Sequence, residues 1–341
     1  MAEYINRRRN IFINSEQYHQ SNGDVKLIFP GVDFAVDKNE IMRLSLESFT
    51  MQRRFYNINT NNNTFYIRNT LGNTYQEVKL QSGDYGLFES NSVTGSSLCQ
   101  AIKAAIDVIF AGSVVTYESV TRFITIDMRN ATGWLDTQEF VCFQIPPGRT
   151  GTNPSVNITE SGKFNDSCEI LGAVATKSFD AIKSAFEKTG TTKMFTSFYP
   201  ASLYTLEAIH LTTNLQTHSY QTPNFAANSE SSLLVPCDIF AKIPVLHHDN
   251  MLSQAPKLIS YIDSGSDAYA VDLQNKSLNH IILSLRDDKG RKLPSIGDQS
   301  KDGNLSFLAT LKWCAVRNLE TGNISGFPQE DSQMRLYQLS I

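Results

Sequence analysis

The sequence predicts a mainly β fold, a sandwich or a barrel. Short runs of alternating apolar residues recur along the chain, and Pro, Gly, Asn and Asp punctuate them at modest intervals. Helical spacing shows in only two segments, both near the middle, so the strands of the two ends frame a mixed central stretch. That order predicts a discontinuous β framework with an α+β unit inserted into it.

Taken in order, Ile11-Phe12-Ile13 reads as an edge strand, and Val25 to Val36 as another, broken by Pro30-Gly31. Ile41, Leu44, Leu46 and Phe49 roughly alternate with polar neighbours, which predicts a strand with one wet face. Phe65 to Ile67 and Tyr75 to Leu80 suggest a hairpin. A helix is expected over Ser96 to Ala111, with Ser96 or Ser97 as N-cap, Leu98, Ile102, Ile106 and Ile109 on one face, and Gly112 as its stop. Val114 to Tyr117, Arg122 to Met128 and Glu139 to Ile145 follow as strands, and Pro146 to Phe164 as an exposed loop. Phe179, Ile182 and Phe186 predict a second helix over Ser178 to Lys188. Strands resume at Leu203 to Leu211, Leu233 to Pro244, Leu258 to Ile262, Asn279 to Arg286 and Leu305 to Val316, with a solvated turn at Asp287 to Gly290.

The chain has 341 residues, long enough for a sizeable core, with 41% apolar and 19% charged residues and a formal net charge of −4. Asn, Gln, Ser and Thr carry the polar balance, which suits broad contact without the cost of burying charge. General nucleic-acid binding is not expected, because phosphate contacts need clustered Lys and Arg. Arg7, Arg8 and Arg9 form the one basic cluster, either an arm that contacts phosphates or a neighbouring subunit, or a solvated terminus. Five scattered cysteines without a CxxC pair speak for a reducing compartment and against zinc ribbons. No apolar run of about 20 residues predicts a membrane span or a signal peptide.

Catalytic grammar is missing. His247-His248-Asp249 holds metal-competent groups, but adjacent strand residues point to opposite faces, so no metal site is expected. GxSxG and phosphate-loop patterns are lacking, and Asp287-Asp288 beside Lys289 reads as a solvated turn. No catalytic residue and no cofactor is expected. Arg53, Arg54, Phe55 and Tyr56 interleave basic and aromatic groups, which suits a subunit interface or packing better than ligand stacking.

In order along the chain, FTMQRRFYNINTNNNTFYI from Phe49, GDYGLFESNSVTGSSLCQAI from Gly83, VTYESVTRFITIDM from Val115, CEILGA from Cys168 and LNHIILSLRDDKGRKLP from Leu278 resemble a known family. They are similar to the penton and minor capsid jelly-roll proteins of virophages, polinton-like viruses and related large DNA viruses. The resemblance implies a jelly-roll β-sandwich with an inserted α+β domain of the helix-on-antiparallel-sheet kind, and no enzymatic activity. It implies a homopentamer at icosahedral fivefold vertices of the virion, made in the host cytoplasm or a viral factory. Its partners would be itself, a double-jelly-roll major capsid protein and other minor capsid proteins, with Arg7, Arg8, Arg9, Arg53, Arg54, Phe55 and Tyr56 as candidate interface residues. The expected organisation is an arm over 1–24, a jelly roll over 25–62 and 194–311, an insertion over 63–193 and an extension over 312–341. A cement protein beneath the shell and a carbohydrate-binding attachment sandwich are the alternative readings.

Overall fold

Strands at both ends of the chain pair with one another, and their alternation dictates which face is buried. The structure, a computed structural model, describes residues 3–17, 24–30, 33–87, 97–144, 165–177, 182–203, 206–215, 219–221, 235–245, 258–265, 269–273, 275–293 and 305–318. The expected loop 146–164 and the triplet His247 to Asp249 lie outside these residues.

The body begins with β1 (Glu3–Asn14), β2 (Val25–Ile28) and β3 (Glu40–Gln52). The insertion holds β4 (Thr64–Asn69), β5 (Thr74–Lys79), α1 (Leu98–Asp107), β6 (Val114–Tyr117), β7 (Ile124–Asp127), β8 (Gln138–Phe143), α2 (Ser167–Leu171), β9 (Ala175–Thr176), β10 (Phe186–Lys188) and β11 (Met194–Ser197). The body resumes with β12 (Ala208–Thr213), a small hairpin of β13 (Ser219–Gln221) and β14 (Val235–Cys237), then β15 (Ile239–Pro244), β16 (Leu258–Ile262), β17 (Ala270–Leu273), β18 (His280–Arg286) and β19 (Phe307–Asn318).

One body sheet has the order β1-β19-β3-β16, with β17 also paired to β3, and the other has the order β15-β12-β18-β2. With β16 and β17 counted together and the small hairpin left out, the body strands in chain order form sheets 1-8-3-6 and 2-7-4-5. That wiring is a jelly roll, in which successive strands cross between two antiparallel sheets. Met42, Leu44, Leu46, Phe49 and Met51 of β3 face inward onto Ile209, Leu211, Phe240, Ile281, Leu283 and Leu285 of the opposite sheet. Inward parity slips by one residue between Leu46 and Phe49, where the β3–β19 register shifts between Thr310 and Leu311, so Glu47 is the extra residue of a bulge. Fully buried Trp313 closes one end of this core, edge-to-face with Phe34 at 5.7 Å between ring centroids.

The insertion leaves the body after β3 and returns before β12. Its two four-stranded sheets, β5-β4-β8-β9 and β10-β11-β7-β6, share one core with α1. Phe65 and Phe140 meet Phe186, Phe195 and Ile126 there, and Leu98, Cys99, Ile102 and Ile106 of α1 are buried against them. Ser97 caps α1, its Oγ accepting from the Gln100 N–H at 3.2 Å. Ile58, Ala201 and Leu203 also enter this core, from outside the expected 63–193 span.

Four expectations need correction. The arm expected over 1–24 is an edge strand over Glu3–Asn14, because β19 offers a matching edge of eleven paired residues, with one register shift between Ile5 and Arg7. The extension expected from Lys312 is, as far as Asn318, the continuation of β19 between β1 and β3. The helix expected at Ser178–Lys188 is absent from its described part: the Ala185 N–H donates to Phe140 O at 2.7 Å and Phe186–Lys188 pairs with β11. Pairing with a sheet edge outweighs the weak helical spacing of Ile182 and Phe186. The turn at Asp287–Gly290 is not simply solvated, since Asp287 is buried.

Candidate subunit-contact surfaces

The basic-aromatic quartet is the crossover from body to insertion. Phe55 is buried in the body core, and the Arg53 guanidinium lies 5.4 Å from its ring centroid. Arg53 Nη2 also donates to Asp84 Oδ1 at 3.1 Å, and the same oxygen accepts the Asn57 N–H at 3.0 Å. Tyr56 is half-buried, and its carbonyl accepts from Asn59 Nδ2 at 3.0 Å. Arg54 is the exposed member, held to Gln52 Oε1 by Nε and Nη2 at 3.3 and 3.1 Å. Arg53 and Phe55 thus serve the linker within the chain, and Arg54 and Tyr56 remain as outward candidates.

Arg7, Arg8 and Arg9 sit on β1, which pairs with β19 on one side. Arg7 bonds Glu40 Oε2 at 2.9 Å and lies 5.9 Å from the Trp313 ring centroid. Arg9 lies 3.6 Å from Asp33 and 5.6 Å from the Phe34 ring centroid. Both lie over the aromatic end of the sandwich, their stems covering apolar surface. Arg8 alternates to the outer face, where Nη2 meets Glu47 Oε1 at 3.0 Å. Glu40 organises this end: it accepts from Asn6 Nδ2 at 2.5 Å, Arg7 at 2.9 Å and the Asp37 N–H at 3.0 Å. Burial alone would raise its pKa, but these donors hold it at about 2.

The outer face of the β1 sheet carries a signal that the sequence reading passed over. Register places Phe12, Thr310, Ser48 and Ile262 in one row across the four strands, and Asn14, Leu308, Thr50 and Ser260 in the next. Phe12 and Ile262 are 79% and 78% exposed, and Leu308 and Leu258 are more than half exposed. No residue of these rows is charged. Toward the other end a third row runs Arg8, Cys314, Arg43, Asp272, where Arg43 grips Asp272 with Nε at 2.6 Å and Nη2 at 2.9 Å.

A charged junction ties insertion to body. Arg291, just past β18, donates from Nη1 and Nη2 to Asp166 at 2.9 and 3.0 Å, from Nε to Asp287 Oδ2 at 2.7 Å, and from Nη1 to Asn61 O at 3.0 Å. Lys289 lies 3.1 Å from Asp288, 3.4 Å from Glu169 and 3.9 Å from Asp166. Burial pushes the carboxyls of Asp287 and Glu169 up, and the surrounding carboxylates raise Arg291 and Lys289 against the opposing effect of burial. Arg291 therefore stays a cation and bridges two carboxylates that come from different units of the fold.

A recess of about 290 Å³ between the sheets is lined by Asn214, Leu215, Asn275, Ser277 and His280 among others, and His280 is the one ionisable group among its described lining residues. Among the described residues no group of three or more His, Cys, Asp or Glu side chains is placed to hold a metal. Cys142 is buried, and burial pushes its thiol up; the same effect raises Cys168 to about 12. Raised thiol pKa values make both poor nucleophiles.

No protein-family model and no curated protein sequence matches the chain. Among solved structures, the chain is similar to the mavirus penton protein, at 13% identity and a TM-score of 0.41, over 92% of this chain and 100% of that one. It is also similar to a chain of the Sputnik virophage structure determined by electron cryo-microscopy, at 14% identity and a TM-score of 0.34, over 90% and 97% of the two chains.

Proposed function

We propose that the protein is a structural subunit of an icosahedral virus shell, and more specifically a penton subunit that fills fivefold vertices as a homopentamer. The observation that carries the reading is the jelly-roll strand order, with a sheet that, among the described residues, ends at each edge in a strand bonded on one side only. Such a body offers each neighbour a broad edge and two uncharged rows at one end of a sheet face, two different patches on one subunit. A head-to-tail contact between different patches closes into a ring when the rotation between copies allows it. The ordered motifs from Phe49 to Pro294, which resemble vertex and minor capsid proteins, support the same reading. The insertion, fixed to the body by Arg291, lies between two consecutive body strands of opposite sheets and forms a separate module on the shell. Copies of itself and a double-jelly-roll major capsid protein are the proposed partners, and the virion is the proposed location.

Native mass spectrometry and negative-stain microscopy of the purified chain test this. Closed rings of five copies are the expected result. A chain that stays monomeric at every concentration, and that antibody labelling places off the vertices of assembled particles, overturns it.

A further inference from the structure

We infer that β1 of one copy pairs edge to edge with the β16–β17 edge of a second copy, continuing the sheet from subunit to subunit. The inference deepens the shell reading and rests on it for the existence of a second copy. Three independent features of the sheet converge on this contact.

Direction is the first. The sheet has four antiparallel strand positions, so β1 and β16 run in opposite directions. When two copies stand side by side in the same orientation, as rotation about an axis roughly parallel to the strands requires, β1 meets β16 of the next copy antiparallel. That is the more stable ladder, and among the described residues neither edge is paired on its outer side.

Apolar complementarity is the second. Phe12 and Ile262 lie in the same cross-sheet row, so a continued sheet without stagger sets Phe12 beside Ile262 of the second copy. These are two of the most exposed large apolar side chains in the described structure, at 79% and 78%. An aromatic next to a β-branched residue is a favourable cross-strand pair.

Charge is the third. Arg8 and Asp272 also share a row, so the same unstaggered alignment sets Arg8 beside Asp272 of the second copy. Opposite charges fall opposite each other, and the row of Asn14 and Ser260 between the apolar row and the sheet end is neutral. A shift by one residue would turn Phe12 toward the wrong face, so the pattern fixes the register. Arg8 then has a specificity role: it discourages strands that lack a matching carboxylate.

Cross-linking decides the matter. In one chain Phe12 and Ile262 are three strand spacings apart, about 14 Å, beyond the roughly 7 Å that a disulfide spans. The Phe12→Cys, Ile262→Cys double variant should therefore oxidise to an intermolecular ladder whose largest band has the size of the wild-type assembly. Each single variant, and a control pairing Phe12→Cys with Lys242→Cys on the other sheet, should give no ladder. Arg8→Glu should weaken self-association of the full chain about tenfold, as expected for like charges set face to face. Wild-type rings that form while the double variant fails to cross-link, or cross-links no better than the control, overturn the edge pairing and leave the shell reading standing. Wild-type protein that forms no assembly at any concentration overturns both.

Discussion

Glu40 is a carboxylate with almost no water contact that keeps its charge because three donors surround it. Its folded pKa of about 2 lies below the ordinary 4.5, so it stabilises the fold fully above pH 4.5 and loses that contribution as pH falls through about 2. The shift corresponds to about 3 kcal/mol. Urea unfolding of Glu40→Gln should show that loss at pH 7 and a flatter pH dependence between 4.5 and 2 than the wild type. Asp287 and Glu169 have the opposite sign: burial raises their pKa values, so their ionisation costs stability as pH rises through those values. Gly172 is constrained by geometry instead of charge. It ends α2 at a φ of +63°, and a Cβ there would lie 2.0 Å from Tyr199 O. Gly172→Ala should cost about 3 kcal/mol through left-handed strain and backbone displacement, measured as a fall in the urea midpoint without a change in slope. The motif CEILGA announces this cap by its glycine, but helix α2 is too short to read from periodicity.

Strand β3 shows how an element carries more than its hydrophobicity. Its parity change at Glu47 is a bulge that keeps Leu46 and Phe49 both inward, and it leaves Glu47 positioned to pair with Arg8 on the next strand but one. The turn after β18 is the other decisive element. Arg291 holds Asp166 of the insertion and Asp287 of the body, both buried. Arg291→Met should leave buried Asp287 with only backbone donors and Asp166 with only Lys289 at 3.9 Å, and cost about 3–5 kcal/mol. Calorimetry should then resolve two transitions where the wild type shows one, because the insertion has its own core and loses its tie to the body. A single, unshifted transition would show that the junction contributes nothing to coupling. Asp-Asp-Lys-Gly is ordinary turn composition, so the sequence alone predicts a solvated turn here. Arg291, which bonds Asp287, also holds Asp166, more than a hundred residues away in the chain.

At the scale of the whole molecule, the two sheets are joined across one apolar core, and the insertion adds a second. Contacts made through the Phe12 and Asn14 rows of the β1 sheet's outer face would be neutral, since Arg8, Lys312, Arg43 and Asp272 lie toward its other end. Ring assembly should therefore change less than about threefold between about 0.1 and 1 M salt, since screening acts on few charges. Sedimentation over that range checks it, and dissociation at high salt would point to a charge-dominated contact elsewhere. Arg53 and Phe55 illustrate why sequence could not rank the contact surfaces: a basic-aromatic run looks the same whether it faces a neighbour or its own linker.

From the sequence alone came the β-dominant class, the alternation of β3, the helix α1 with its serine cap, the β4–β5 hairpin and the presence of an insertion. Each depends on neighbours within one turn or one strand, which is the range over which local propensity and periodicity act. Only the tertiary structure decided that residues 3–14 pair with 308–318, that Phe186 belongs to a strand, and that Asp166, Asp287 and Arg291 meet. Those outcomes depend on partners distant in the chain, whose hydrogen bonds and desolvation outweigh local preference and leave no periodic trace.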